Sequence, residues 1–372
     1  MAALLAVSCG IGGEENAGEP GIDVAALQTG NYRTTPRTPE QLRTPANIDI
    51  QEALRLGEHV PLIMDTSPTL VFTRVKYQKK HFTRFDPPDL VPDFATAATG
   101  FVAGWETIGQ RREDELQGRA VDLTVMRFAT PAQASGAAKA LADGIWHSRY
   151  PPVGTIPIPG YADAYGQARQ YGAISAAAAR DEFVLWAYIG AGVDIPPNPA
   201  DLTGLAAEVF DSQFASLRDY APTPEAELAD LPVDRDGILT YALPPSDGVA
   251  EAVMSPRTAL HLIQRPDLTG RAFEDARVDL VVHGETEIYR AGDARAADRL
   301  HAYFVSQLGS EYRPVDNPPG LPDAHCVDDP DTTASLKCLF TVGRYSVIVA
   351  GTQIQDLHQR VSAQYKLLDL AH

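Results

Sequence analysis

The chain repeats itself, and that constrains its fold more than any other feature. Val121-Asp122-Leu123-Thr124-Val125 recurs as Val278-Asp279-Leu280-Val281-Val282, and Ser148-Arg149-Tyr150-Pro151-Pro152-Val153 as Ser310-Glu311-Tyr312-Arg313-Pro314-Val315. Pro159-Gly160-Tyr161-Ala162-Asp163-Ala164 recurs as Pro319-Gly320-Leu321-Pro322-Asp323-Ala324. The three pairs keep their order, each separated by about 160 residues, which is the mark of a duplicated folding unit. A chain of 372 residues has room for two such units, since one core serves about 100–200 residues.

Hydrophobic periodicity gives each unit a shape. Residues 120–128 alternate as a strand, and the Ala-rich run 131–143 opens with Pro131 as a helix does. After a Pro/Tyr-rich loop, 173–179 and 183–189 read as a strand pair turning at Arg180-Asp181-Glu182. Leu202, Leu205, Ala206, Val209, Phe210 and Phe214 then share one face of a helix over 201–217. The second half predicts a strand at 277–284, a helix at 293–308, a Pro-rich loop at 313–324, strands near 335–342 and 345–350, and a helix at 355–369. One more strand is expected upstream in each unit, at 101–108 and 258–264. The predicted class is α+β: two duplicated units, each a mainly antiparallel sheet packed against helices on one face. The expected domains are 26–220 and 237–372, joined by a Pro/Glu/Asp-rich linker at 221–236 and preceded by a signal and tether over 1–25.

The net charge of −18 would repel nucleic acid and anionic headgroups, so neither is expected as a main partner. Three cysteines are present. Cys9 follows the apolar run Ala2–Val7 and Ser8, as the acylated cysteine of a bacterial lipoprotein does, and the Gly/Glu-rich stretch after it suits a tether. The run is shorter than the usual ~7–15 residues and no basic residue precedes it, so the signal reads as truncated. Lipidation of Cys9 leaves Cys326 and Cys338 for one disulfide, worth about 3 kcal/mol in the chain-entropy model and stable in an oxidising compartment. The alternative is two reduced, buried cysteines in a cytoplasmic protein.

The opening phrase Leu27-x-x-Gly30-Asn31-Tyr32-x-Thr34-x-Pro36 resembles the start of the mature domain in an uncharacterised two-domain lipoprotein family of mycolic-acid-containing actinobacteria. The Pro-Gly-x-x-Asp-Ala loops and the late cysteine pair are similar too. The resemblance implies an extracytoplasmic lipoprotein held to the cell membrane by its lipid, and it supplies no catalytic residues.

No phosphate-binding loop, nucleophile elbow or zinc-ligand spacing is visible, so no catalytic residue, cofactor or metal is assigned. The preferred binding residues lie in the two Pro/Tyr loops: Trp146, Tyr150, Tyr161 and Tyr165 with Asp163 in the first, Tyr312 and Asp323 in the second. Rigid aromatic rings on proline-stiffened loops suit a lipid, glycan or protein ligand at small entropic cost. The same rings would also serve to cap their own domain, and Asp163 and Asp323 to close turns through Asx bonds. Asp328, Asp329 and Asp331 read as a solvated acidic loop. The leading function is a non-catalytic envelope binding or interaction protein. The alternative, an extracytoplasmic hydrolase, requires titratable groups with shifted pKa values converging in an open pocket.

Overall fold

A computed structural model describes residues 22–74, 79–113, 118–192, 198–246, 248–329 and 335–371. Cys9 and Asp331 lie outside these residues. The first unit has β1 (His81–Thr83), β2 (Phe101–Gln110), β3 (Ala120–Phe128), β4 (Gly154–Thr155), β5 (Tyr165–Arg169), β6 (Ala173–Arg180) and β7 (Phe183–Gly190). They form one antiparallel sheet in the order β1-β2-β3-β7-β6-β5-β4. The second has β8 (Ala252–Met254), β9 (Leu280–His283), β10 (Thr286–Arg290), β11 (Arg313–Pro314), β12 (His325–Asp328), β13 (Leu336–Val342) and β14 (Tyr345–Gly351). Their order, β8-β9-β10-β14-β13-β12-β11, is the same arrangement strand for strand. The duplicated α+β fold is therefore present.

The helices that matter are α1 (Gln51–Gly57), α2 (Pro131–Gly144), α3 (Pro199–Ser216), α4 (Pro266–Ala276), α5 (Ala294–Ser306) and α6 (Ile354–Asp369). Thr130 caps α2 by accepting from the Gln133 amide, with Pro131 at the first position. Small residues at 134, 137 and 138 let that helix lie close to the sheet. It packs with Phe101, Met126, Phe128, Ala177, Val184 and Trp186. The alternate residues, Val121, Leu123, Val125, Leu185, Ala187 and Ile189, face α3 through Leu202, Val209 and Phe210. The second unit repeats this, with α6 on Val282, Phe340 and Val347 and α5 against Val281 and Tyr289. Each sheet is thus covered on both faces, not on one. The unbroken apolar run Phe183-Val184-Leu185-Trp186-Ala187 is the signature of a strand buried on both sides.

Two expected matches need correction. No strand forms at 258–264: Ser255 caps a helical turn, its Oγ accepting from the Thr258 amide, over Pro256–Ala259, and Leu260–Leu262 continues as a 3-10 turn. The strand at this edge is β8. In addition, β10 follows β9 within the segment read as one strand and loop. By sheet order β10, not β9, is the counterpart of β3, so the likeness of Val121–Val125 to Val278–Val282 joins strands that are not equivalent. Short apolar strands resemble one another, and only the pairing tells them apart. The Pro-Gly match does hold. Gly160 and Gly320 both take φ near +80 to +90°, at +78° and +89°, in turns closed by Tyr161 N–H to Ile158 O and Leu321 N–H to Pro318 O.

The chain start packs away from its sequence neighbours. Leu27 and Leu42 are buried in the core of the second unit, and the Tyr32 hydroxyl donates to Asp356 of α6 at 2.6 Å. Arg37 grips Glu251 with two bonds of 2.7 and 2.8 Å, both groups buried. The expected first domain, 26–220, so begins with a segment whose contacts are with the second. Residues 221–236 are packed too: Leu228 and Leu231 bury against Ala53, Val102 and Ala103.

Candidate functional site

On the α2 side of the first sheet, β5 presents Asp163, Tyr165, Gln167 and Arg169 in turn, the first of them just ahead of the strand. Gln167 donates to the Ala142 carbonyl at 2.6 Å and so pins the end of α2. Arg169 donates to the Tyr150 carbonyl at 2.8 Å and holds the loop that follows. Past the helix end the sheet is left partly open. Register places Asp122 of β3 opposite Tyr188 of β7, and Tyr188 opposite Ser175 of β6.

This shelf carries exposed aromatic area. Trp146 is 42 %, Tyr150 55 % and Tyr188 41 % exposed, so each side chain is partly packed on its own unit and partly open to solvent. The Arg149 guanidinium lies 5.3 Å from the Tyr150 ring centroid, a cation–π contact that stiffens the ring without covering it. Desolvation raises the Tyr188 phenol, with Asp122 adding and Arg169 opposing, so the hydroxyl stays a neutral donor. Tyr188 was not singled out in the sequence, because a tyrosine inside an apolar strand reads as core. The signal available was strand alternation: it shares a face with Asp122 across the pair.

The other expected residues divide. Asp163 and Tyr165 line a groove of about 410 Å³ with Pro131, Ser135, Arg180 and Asp181, towards the start of α2. Tyr161 turns to the opposite face. Its ring packs edge-on against Phe210 and over Phe214 of α3, and its hydroxyl donates to Asp211 at 2.7 Å. Tyr312 is half-buried under the Lys337 ammonium, 5.4 Å from its centroid. Asp163 and Asp323 are exposed, and neither closes an Asx turn among the described residues. Asn317 does that work in the second unit, accepting from the Cys326 amide and donating to the Pro322 carbonyl. Asp329 is buried and paired with Lys337 at 2.8 Å, so it is not solvated.

Cys326 and Cys338 form a disulfide between directly paired positions of β12 and β13. The corresponding pair in the first sheet is Gly166 opposite Ala176.

Titratable groups with shifted pKa values also gather beside β2. Burial lowers the Lys80 ammonium and raises the Glu106 carboxyl, and the two pair at 3.2 Å near Arg74 and Asp122. Lys80 is only 1 % exposed. Glu106 keeps 15 % of its side chain exposed, and Arg74 and Asp122 beside it are partly exposed too. Among the described residues no group of three or more His, Cys, Asp or Glu is placed to hold a metal.

Residues 39–233 match the model of the N-terminal domain of unknown function DUF7373, and residues 238–370 match that of its C-terminal domain. The chain belongs to the DUF7373 family. The boundary between the two family models falls at 233–238, within and just past the packed segment that follows the first unit. No curated protein matches the chain. Among solved structures, it is similar to the extracellular domain of PknH from Mycobacterium tuberculosis, at 14 % identity and a TM-score of 0.30, over 49 % of this chain and 100 % of that one. No helix among the described residues is long and apolar enough to cross a membrane.

Proposed function

We propose that this DUF7373 protein is an extracytoplasmic lipoprotein of the cell envelope, anchored through Cys9, that binds a glycan, lipid or protein partner without catalysis. The observation that carries the binding role is the shelf of Trp146, Tyr150 and Tyr188, exposed yet held by Arg169 and Gln167. Aromatic area ordered before contact loses little entropy on binding, which favours recognition over folding as its use. The cross-strand disulfide supports an oxidising compartment. The Lys80–Glu106 cluster favours binding over hydrolysis, because its shifted groups are already paired with each other at 3.2 Å.

The binding role is tested with immobilised envelope polysaccharide and lipid fractions. Trp146→Ala with Tyr150→Ala should weaken retention by at least about tenfold, as loss of two anchoring rings does, with an unchanged melting temperature. Equal retention would remove the shelf from the function. For the anchor, cells expressing the full-length protein are fed a clickable palmitate analogue. Label on wild type and none on Cys9→Ala is expected, and an unlabelled wild type overturns the anchor alone.

A further inference from the structure

The aromatic shelf holds a cation that the fold does not neutralise. Ser175 stands between Tyr188 and Gln167 in the register of β7, β6 and β5, and Arg169 is the next residue of β5 on that face. Its Nη2 donates to the Tyr150 carbonyl at 2.8 Å. The other two guanidinium nitrogens make no bond among the described residues and are not buried. Arg149, itself exposed, lies over the Tyr150 ring with no ion pair among the described residues.

Carboxylates are in excess in this chain, 49 acidic residues against 31 Lys and Arg. Arg265, Arg277, Arg290 and Arg299 are each paired with one. The charged groups acting on Tyr188 are Asp122, Arg169 and Arg74, and Asp122 pairs with Arg74. Lys80 and Glu106 offset each other in the same way. Arg169 and Arg149 are left over, two positive charges beside exposed rings. Partial burial lowers the Arg169 pKa, opposed by Tyr188 and by no carboxylate among the described residues. A partly desolvated cation without a counter-ion is costly, and an anion placed on it recovers that cost.

The surface around these charges narrows the choice of anion. Tyr150 and Tyr188, 55 % and 41 % exposed, offer on the order of 200 Å² between them. A folded protein covers ~800 Å² on each partner, so the exposed rings are too small a footprint for one. An alkyl chain laid on so open a surface would stay in water. A sugar instead sets its apolar C–H face on a ring and keeps its hydroxyls solvated. The net charge of −18 repels a polyanion at long range, so one charge among neutral sugars suits the site better than many.

We propose that the shelf takes a saccharide bearing a single carboxylate or phosphate, a sugar ring lying on Tyr150 and the anionic group accepting from Arg169 with Arg149 close by. This rests on the binding role proposed above and gives it a ligand class: a mostly neutral glycan with one acidic group.

Calorimetry on the purified full chain tests this with a xylotriose carrying one glucuronate, its methyl ester, maltotriose 6-phosphate, maltotriose and a triglutamate peptide. At least one charged sugar should bind about tenfold or more tighter than its uncharged counterpart, as a charge-assisted hydrogen bond gives. Which of the two does so tells carboxylate from phosphate. Arg169→Gln should erase that preference and leave the uncharged sugars unchanged. Arg169 also holds the Tyr150 loop, so Arg149→Gln, an exposed change, is the second variant. It should cost the preferred charged sugar about threefold and the uncharged ones nothing. Equal affinity for both charged sugars and their uncharged counterparts overturns the proposal, as does a preference that survives both substitutions or equally tight binding of the peptide. If Trp146→Ala with Tyr150→Ala still loses retention of envelope fractions after such a result, the binding role stands and only the acidic saccharide falls. If retention is unchanged as well, the binding role falls with it.

Discussion

Arg127 lies next to last in β3 opposite Phe183, and Arg290 ends β10 opposite Tyr345. The two arginines hold the same place in two sheets of the same order, yet they meet different surroundings. Arg127 is buried, donating to Glu52 of α1 and to the Thr223 carbonyl at 2.7 Å, while Glu52 also receives the Thr223 hydroxyl at 2.6 Å. Arg290 pairs with Asp279 and Asp236 at the surface. The same holds elsewhere on the sheets. Where β12 and β13 carry the disulfide, β5 and β6 carry Gly166 and Ala176. Where the first unit has Arg169 and Tyr188, the second has Asp329 and Ala350, and Lys337 pairs with Asp329 and lies over the Tyr312 ring. Duplication preserved the framework, while substitutions within the strands and the non-repeated segments packed on each sheet decided which positions are buried, stapled or exposed.

The largest expected effect is at the paired arginines. Arg127→Met removes the buried one of two arginines paired with Glu52, leaving Arg55 at 3.4 Å, and should lower stability by about 3–4 kcal/mol, whereas Arg290→Met should cost about 0–1 kcal/mol. Urea unfolding of the two variants measures the contrast, and similar losses would mean the two surroundings are energetically alike. Next comes the staple. Cys326→Ser with Cys338→Ser should lose about 3 kcal/mol, and protease protection should fall in the second unit before the first. If the first unit opens earlier, the disulfide does not act locally.

Gly166→Ala should cost about 1–3 kcal/mol through overpacking, since a Cβ there would meet the Ile156 carbonyl oxygen at 2.1 Å. The first unit therefore cannot take up the second unit's disulfide at this place without moving its backbone. The smallest effect concerns the joint between the units. His261 is buried, its Nε2 3.0 Å from the Val60 carbonyl of the first unit and its ring edge-on to Trp105. Full burial holds its pKa down to about 3, from an ordinary 6.5. Between these values the unfolded chain takes up a proton that the folded one refuses, so stability is full above pH 6.5 and is lost as pH falls towards 3. From pH 6.5 to 5.5 the loss should be about 1 kcal/mol. Thermal melts over that range should show the slope, and His261→Gln should flatten it; an equal slope in the variant assigns it to other groups.

Much of the framework was legible in the sequence. The strand at 120–128, the helix at 131–143 and the hairpin at 173–189 stand where periodicity and Pro131 put them. The helices on the second face were legible in principle, since Phe183–Ala187 is apolar without alternation. Tyr188 and Gln167 were not, because their role depends on which strand lies beside them and on where α2 ends.

By itself the sequence determined two related units, most of the strands and helices of the first, the Pro-Gly turns and a late cysteine pair able to form a disulfide. Periodicity, caps and turn residues act over a few neighbours, and a chain carries that information locally. Only the tertiary structure decided that β10 and not β9 repeats β3, that Leu27 and Leu42 belong to the distant unit, and that Arg169 lies near both Tyr150 and Tyr188. Those outcomes rest on contacts between residues far apart in the chain, where burial and register set each side chain's surroundings.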